Sequence, residues 1–329
     1  VAPPRRSSRG DEPVAPDPST LAALAARLAD EGIDVATAVG AAVNGRRDPC
    51  ARREPHRLWW ATLTPDGPAT LGLQWHPRLE ILAWGPGAAT VLARVPGLLG
   101  LHDDPTRLVT DQPLVRRLQR QDAAMRIGRT GAVLDAAVQA VFGQRVTGLE
   151  ARRSWALLVA RTGRPAPGPG GLLLPPPAEV LATLPTWVFH QIGVDHRRGR
   201  SVVGLARRAG HLERAATTGD AGADTNTDTE ADAVAAVLGS VPGIGVWTIA
   251  ETLHQALGDP DAVPVGDYHV PHTVVHAFTG RARGSDAEML ALLEPFRGQR
   301  RRVIRHLERA GLGAPRVAPR QAVHWIDRI

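Results

Sequence analysis

Lysine is absent from all 329 residues, so each of the 39 basic side chains is an arginine. No side-chain amine is therefore available as a Schiff-base nucleophile. Arginine keeps its charge and offers a planar, bidentate fork that suits phosphate. A GC-rich codon bias explains the preference equally well, and the chemical consequence is the same. Cysteine occurs once, as Cys50, which excludes an internal disulfide, a cysteine-ligated iron–sulfur cluster and a zinc finger. No apolar run is long enough to span a bilayer. The stretch Val1-Ala2-Pro3-Pro4-Arg5-Arg6 lacks the apolar middle of a signal peptide. A cytoplasmic, nucleoid-associated protein without membrane contact is expected.

What is present is an ordinary globular composition, 43% hydrophobic, with a net charge of +6 that permits a polyanionic partner without demanding one. The length suggests one large or two modest domains. Residues 1–18, rich in Pro, Ser and charge, read as a disordered tail. Residues 19–54 read as a helical extension, with Ser19 or Thr20 as its cap and Gly32 near the end of its first helix. Strand-like runs at Arg57–Thr64, Thr70–Trp75 and Leu79–Trp84, then a helix opening at Gly85-Pro86-Gly87, make 55–105 a small antiparallel sheet with one helix. Apolar residues recur at helical spacing through 106–315. Two interruptions are expected there: a Gly/Pro-rich loop at 164–178, and a disordered acidic insertion at 217–232. Residues 316–329 read as a tail.

The informative stretch is Leu238-Gly239-Ser240-Val241-Pro242-Gly243-Ile244-Gly245-Val246-Trp247-Thr248. One helix should end near Gly239 and another begin near Val246. Alternate glycines between them can expose backbone amides, and the dipole of the second helix favours an anion there. A DNA phosphate fits such a turn; so does a bare helix–helix connection that binds nothing. About twenty residues on, Val265-Gly266-Asp267-Tyr268-His269 precedes an amphipathic helix containing Val274, Val275 and Phe278. Asp267 at that helix start is either a functional carboxylate or a plain cap. His272 and His276 lie one turn apart, but no third metal ligand accompanies them, and no side-chain metal site is expected.

Gly-Ile-Gly-x-Trp-Thr followed at this distance by Gly-Asp-Tyr resembles the helix-hairpin-helix DNA glycosylases, and most closely the 3-methyladenine DNA glycosylase II branch. Ala140-Val141-Phe142-Gly143-Gln144-Arg145-Val146-Thr147 resembles that branch's lesion-facing helix end. Leu292-Leu293-Glu294-Pro295-Phe296-Arg297 resembles its Pro-Trp-Arg segment, with Phe in place of Trp. The resemblance covers roughly residues 57–312. It implies a mainly α fold with a small α+β N-terminal domain, like the TATA-binding protein's, and a two-lobed helical bundle with the active-site cleft between its lobes.

By the same resemblance, Asp267 is the catalytic carboxylate, and Trp247, Tyr268 and Glu251 line the base pocket. Val241, Gly243, Ile244, Gly245, Thr248, Gln144, Arg145 and Thr147 then contact DNA, with the Gln144–Arg145 step filling the space left by a flipped nucleotide. Potassium or sodium at the carbonyls of Val241, Gly243 and Ile244 is implied in the same way. Trp247 stands where strand-cleaving relatives place lysine, which implies a monofunctional enzyme acting as a monomer on damaged duplex DNA. An alkylated purine is the expected base, since a cationic base leaves without an acid and suits aromatic walls. Glu251 and an arginine, Arg305, stand where that branch has aromatics. A non-enzymatic DNA-binding module, or a glycosylase for uracil, mismatched or oxidised bases, are the alternatives. The arginines at 197, 198, 200, 297, 300–302, 305 and 309 either track the DNA backbone or form solvated faces.

Overall fold

The computed structural model describes residues 12–217 and 227–315. Most of the tail at 1–18, part of the acidic insertion and all of 316–329 lie outside the described residues.

The N-terminal lobe begins with α1 (Pro18–Asp30), capped by Asp17, whose Oδ1 accepts from Thr20 N at 2.9 Å. The cap is therefore Asp17 rather than Ser19 or Thr20, because Pro18 occupies the first helical position and sets the boundary. Leu28 is buried, and Leu21 and Leu24 pack against the same core. A short turn α2 (Val35–Ala38) and a 3-10 turn (Val39–Ala42) follow. Four antiparallel strands then run in chain order: β1 (Ala51–Glu54), β2 (Arg57–Thr64), β3 (Gly67–Gln74) and β4 (Glu80–Trp84). The sheet thus starts inside the expected helical extension. Alternation in β2 and β3 buries Leu58, Trp60, Leu71 and Leu73 on one face, against Val91 of α3 (Ala88–Ala93) and Val95 and Leu98 of α4 (Val95–Leu98). On the other face Trp59 and Trp84 lie 5.6 Å apart under the 164–174 loop.

The remainder is helical and has two apolar cores. One core joins α6 (Val133–Gly143), α7 (Gly148–Thr162), α8 (Ala178–Thr183), α9 (Thr186–Gln191), α10 (His196–Ala206), α11 (Ala209–Thr217), α12 (Thr227–Gly239) and α13 (Val246–Leu257) around Phe142, Trp155, Leu158, Phe189, Leu238 and Leu253. The other joins α5 (Pro113–Gln121), α14 (Val270–Thr279), α15 (Asp286–Leu293) and α16 (Arg300–Arg309) around Val115, Val274, Met289, Ile304 and Leu307. Both cores behave as the periodicity predicts, and the fold is mainly α with a small α+β domain at its start. One expectation fails: residues 227–232 are the first turns of α12, not loop. Acidic side chains suit a helix N-terminus, and Glu230 is buried in an ion pair with Arg129 at 2.8 Å. No described helix is long and apolar enough to cross a membrane.

Candidate active site and nucleic-acid interface

The hairpin joins α12 to α13. Gly243 sits at φ +88°, where a side chain is strained, and a Cβ there would run into Ser201 Oγ. Ser201 Oγ in turn donates to Pro242 O at 2.9 Å, so α10 props the turn from behind. Val241 and Ile244 are buried. Gly245 caps α13 without any side-chain hydrogen bond, which leaves the first N–H groups of that helix to a ligand. Val246 beside them is 63% exposed. These features make the turn an anion seat on the protein surface.

Gln144 follows α6 directly and ties this turn to the neighbouring helix end. Its Nε2 donates to Gly243 O at 3.0 Å and to Thr248 Oγ1 at 2.8 Å. Thr248 is buried and so positions Gln144 rather than facing solvent. Arg145 is exposed with φ +54°, unlike any other non-glycine residue described. Such strain is held in place by its flanks and concentrates at functional positions. Thr147 caps α7 in a reciprocal box with Glu150. Its expected DNA role therefore coexists with a structural one.

Asp267 precedes α14 and accepts three hydrogen bonds. His269 N (2.7 Å) and Val270 N (2.9 Å) donate to Oδ1, and Trp247 Nε1 donates to Oδ2 at 3.0 Å. The residue is a helix cap and a site carboxylate at once. Trp247, in the first turn of α13, reaches it because Gly143 leaves its ring room to lie against the end of α6: a Cβ there would stand 3.0 Å from Trp247 Cη2. Sequence spacing brought Asp267 and Trp247 to the same place. Tyr268 is not in that place: it is 66% exposed, edge-on to His269 and His272.

Glu251, one turn beyond Trp247, faces a separate cavity of about 300 Å³. Its Oε1 accepts from Arg301 Nη1 at 2.8 Å, and the Arg301 side chain is only 7% exposed. His254, Gln255, Gln139 and Arg305 join the lining, and residues 37–44 close it from the N-terminal lobe. Burial, with Arg301 and Arg305 nearby, holds His254 well below the usual imidazole range, so it is neutral near pH 7. Gln139, His254, Gln255 and Arg301 were not among the expected site residues. The helical register of α13 points from Glu251 to His254 and Gln255, but nothing local links them to Arg301, fifty residues away.

The C-terminal arginines form neither a DNA track nor a solvated face. Arg300 is paired with Asp261, Arg302 with Asp103, and Arg309 with Asp122 and Asp34. Arg198 is buried against Asp195 and donates to Phe142 O at 3.0 Å, while Arg197 and Arg200 are exposed. No group of three or more His, Cys, Asp or Glu with metal-binding geometry exists among the described residues. The carbonyls of Val241 and Gly243 already accept from Ile244 N and Gln144 Nε2, so the trio expected to hold a monovalent ion is a poor fit as a set.

No family model matches the chain. Among curated proteins, it is 31% identical over 183 residues to a probable bifunctional transcriptional activator/DNA repair enzyme AlkA of Mycobacterium tuberculosis, covering 54% of this chain and 34% of the relative. The chain thus spans about a third of the curated relative it matches. Among solved structures, a 3-methyladenine DNA glycosylase from Archaeoglobus fulgidus superposes with a TM-score of 0.67 at 18% identity, over 84% of this chain and 93% of that one. An 8-oxoguanine glycosylase/lyase from Clostridium acetobutylicum, in complex with DNA, gives a TM-score of 0.60 at 10% identity, over 85% and 93%. The chain has the fold of the helix-hairpin-helix DNA glycosylases. In this glycosylase fold the hairpin, Gln144 and Asp267 fall together at one edge of α13, and Glu251 with its cavity falls further along the same helix.

Proposed function

We propose that the chain is a monofunctional DNA glycosylase that acts as a monomer on duplex DNA in the nucleoid. The observation that carries this reading is Asp267, fixed by three N–H donors beside an uncapped helix start that suits phosphate. A nucleotide turned out of the stack brings its sugar towards Asp267 while the hairpin amides hold the backbone. As the C1′–N bond breaks, its electron pair leaves with the base and positive charge grows on the sugar. A carboxylate held in one orientation stabilises that charge without reorganising. Water adds to C1′ and gives up a proton, and the base gains one. Without a lysine, no side-chain amine competes with water for C1′.

The expected alkylated purine relied on aromatic walls. Trp247 is engaged with Asp267, Tyr268 faces outward, and Glu251 lies at a polar cavity. A neutral base, from the alternative substrate classes, therefore has an observation in its favour. The chemistry at Asp267 serves either. Asp267→Asn should lower single-turnover base release by about a thousandfold or more, with affinity for the same duplex kept or improved because one negative charge is gone. Loss of the cap costs about 1 kcal/mol of stability. A folded variant with normal turnover removes Asp267 from the reaction.

A further inference from the structure

We infer that the cavity along α13 reads an uncharged purine that carries a lactam edge, with Glu251 and Arg301 as the residues that set specificity. This rests on the glycosylase reading and names the base it acts on. A ring N–H beside a carbonyl oxygen presents one donor and one acceptor on a single edge. The Glu251–Arg301 pair presents the complement. Oε1 of Glu251 is held by Arg301, and Oε2 accepts no hydrogen bond from a described residue. The Nε of Arg301 is buried and has no acceptor among the described residues. Unmade hydrogen bonds of this kind, on a buried ion pair at a cavity wall, are expensive unless a ligand completes them.

The lining also argues against a cationic base. It contains no Trp, Tyr or Phe, so no aromatic face is available for a cation–π contact. It carries Arg126, Arg301 and Arg305 against the single carboxylate of Glu251, although Glu31 and Glu308 behind the wall offset two of these charges. Around 300 Å³ is the low end of the roughly 300–1,000 Å³ range of small-ligand sites, enough for one base and little more. The third side is the 37–44 segment, pinned by Gln255 Nε2, which donates to Ala41 O at 3.4 Å and to Gln139 Oε1 at 2.9 Å. The N-terminal extension is thereby part of the selectivity device.

The pair also answers a chemical need. A neutral purine is a poor leaving group, because it departs as an anion whose charge spreads onto the lactam oxygen. A guanidinium donating to that oxygen stabilises the leaving group, while Glu251 accepts from the adjacent N–H. The departing base then takes a proton from water. Neutral His254 supplies no charge and serves only as wall.

The test compares single-turnover release of hypoxanthine and of 7-methylguanine from otherwise identical duplexes, by wild type and by Glu251→Gln. Binding of each protein to an abasic-site duplex is measured in parallel, to confirm an intact fold and DNA surface. Wild type should release hypoxanthine at least about tenfold faster, relative to each lesion's spontaneous loss. Glu251→Gln should reverse or flatten that ratio, because the acceptor becomes a donor on one side. If 7-methylguanine is released as well or better by wild type, the inference fails and the glycosylase reading stands. If neither base is released, the glycosylase reading itself fails. An unchanged ratio in a Glu251→Gln protein that binds abasic DNA normally removes Glu251 as the reader.

Discussion

The first turn of α13 and its next two turns lie on one helix, yet they are built by different rules. The first turn takes its geometry from near neighbours in the chain: Gly243 and Gly245 just before it, Trp247 within it, and Asp267 twenty residues on. The later turns take theirs from afar, since Glu251 meets Arg301 across fifty residues and Gln255 meets Ala41 across 214. Chemistry common to a fold can sit in a local motif. Selection of one ligand among several is assembled from distant parts, and here it depends on a segment outside the helical lobes.

The largest expected disturbance strikes the local side. Gly243→Ala forces a Cβ into a left-handed position against Ser201, and should cost about 1–3 kcal/mol of stability together with DNA affinity. Gly245→Ala has φ −106° and open space around it, so its melting temperature should hold. Its affinity for undamaged duplex should still fall, because the methyl group obstructs phosphate approach. Equal affinities for both variants and wild type at several salt concentrations would break the contrast between scaffold and contact.

This division also explains what the sequence made legible. Helix boundaries at Gly239, Val246 and near Leu257 followed from punctuation, and the strands from alternation. Asp267 and Trp247 met as their spacing suggested. The cap at Asp17 was missed because Pro18 was not weighed as a first helical residue. The start of α12 was missed because a run of Asp and Thr reads as loop until Glu230 finds Arg129. The C-terminal arginines looked basic in sequence. In the fold most meet acids drawn from loops and helices far away, such as Asp103 and Asp122. Pairing of this kind leaves no periodic signal.

Trp247→Phe keeps the ring and removes the donor to Asp267. Base release should drop about tenfold, the order expected for one hydrogen bond to a charged group, with abasic-DNA binding unchanged. A drop in binding alone would make Trp247 a wall rather than a positioning residue.

Smaller effects are expected where the lobes meet beside the specificity cavity. Desolvation, and then the nearby Asp48, push Asp135 up to about 7, partly opposed by Arg94. The folded protein therefore holds a proton there that the unfolded chain releases near pH 4. The stability this provides is complete at low pH and is lost as pH rises through about 7. Asp135→Asn should raise the melting temperature by a few degrees above pH 7, with the advantage shrinking towards pH 5. A constant offset at all pH values would contradict a protonated Asp135. Gln144→Ala should be milder still, costing about 1 kcal/mol or less in stability and a few-fold in DNA affinity, by loosening Gly243 and Thr248 together. An unaltered hairpin affinity would mean that the end of α6 and the turn act independently.

The account stands or falls on what happens to the strand after the base has gone. Wild-type protein is incubated with a damaged duplex, and the products are run before and after hot alkali, with and without borohydride. A lysine-free glycosylase should release the free base, leave the strand whole until alkali is added, and form no borohydride-trapped adduct. Strand cleavage without alkali, or efficient trapping during turnover, would place an amine rather than water at C1′ and contradict the hydrolytic mechanism.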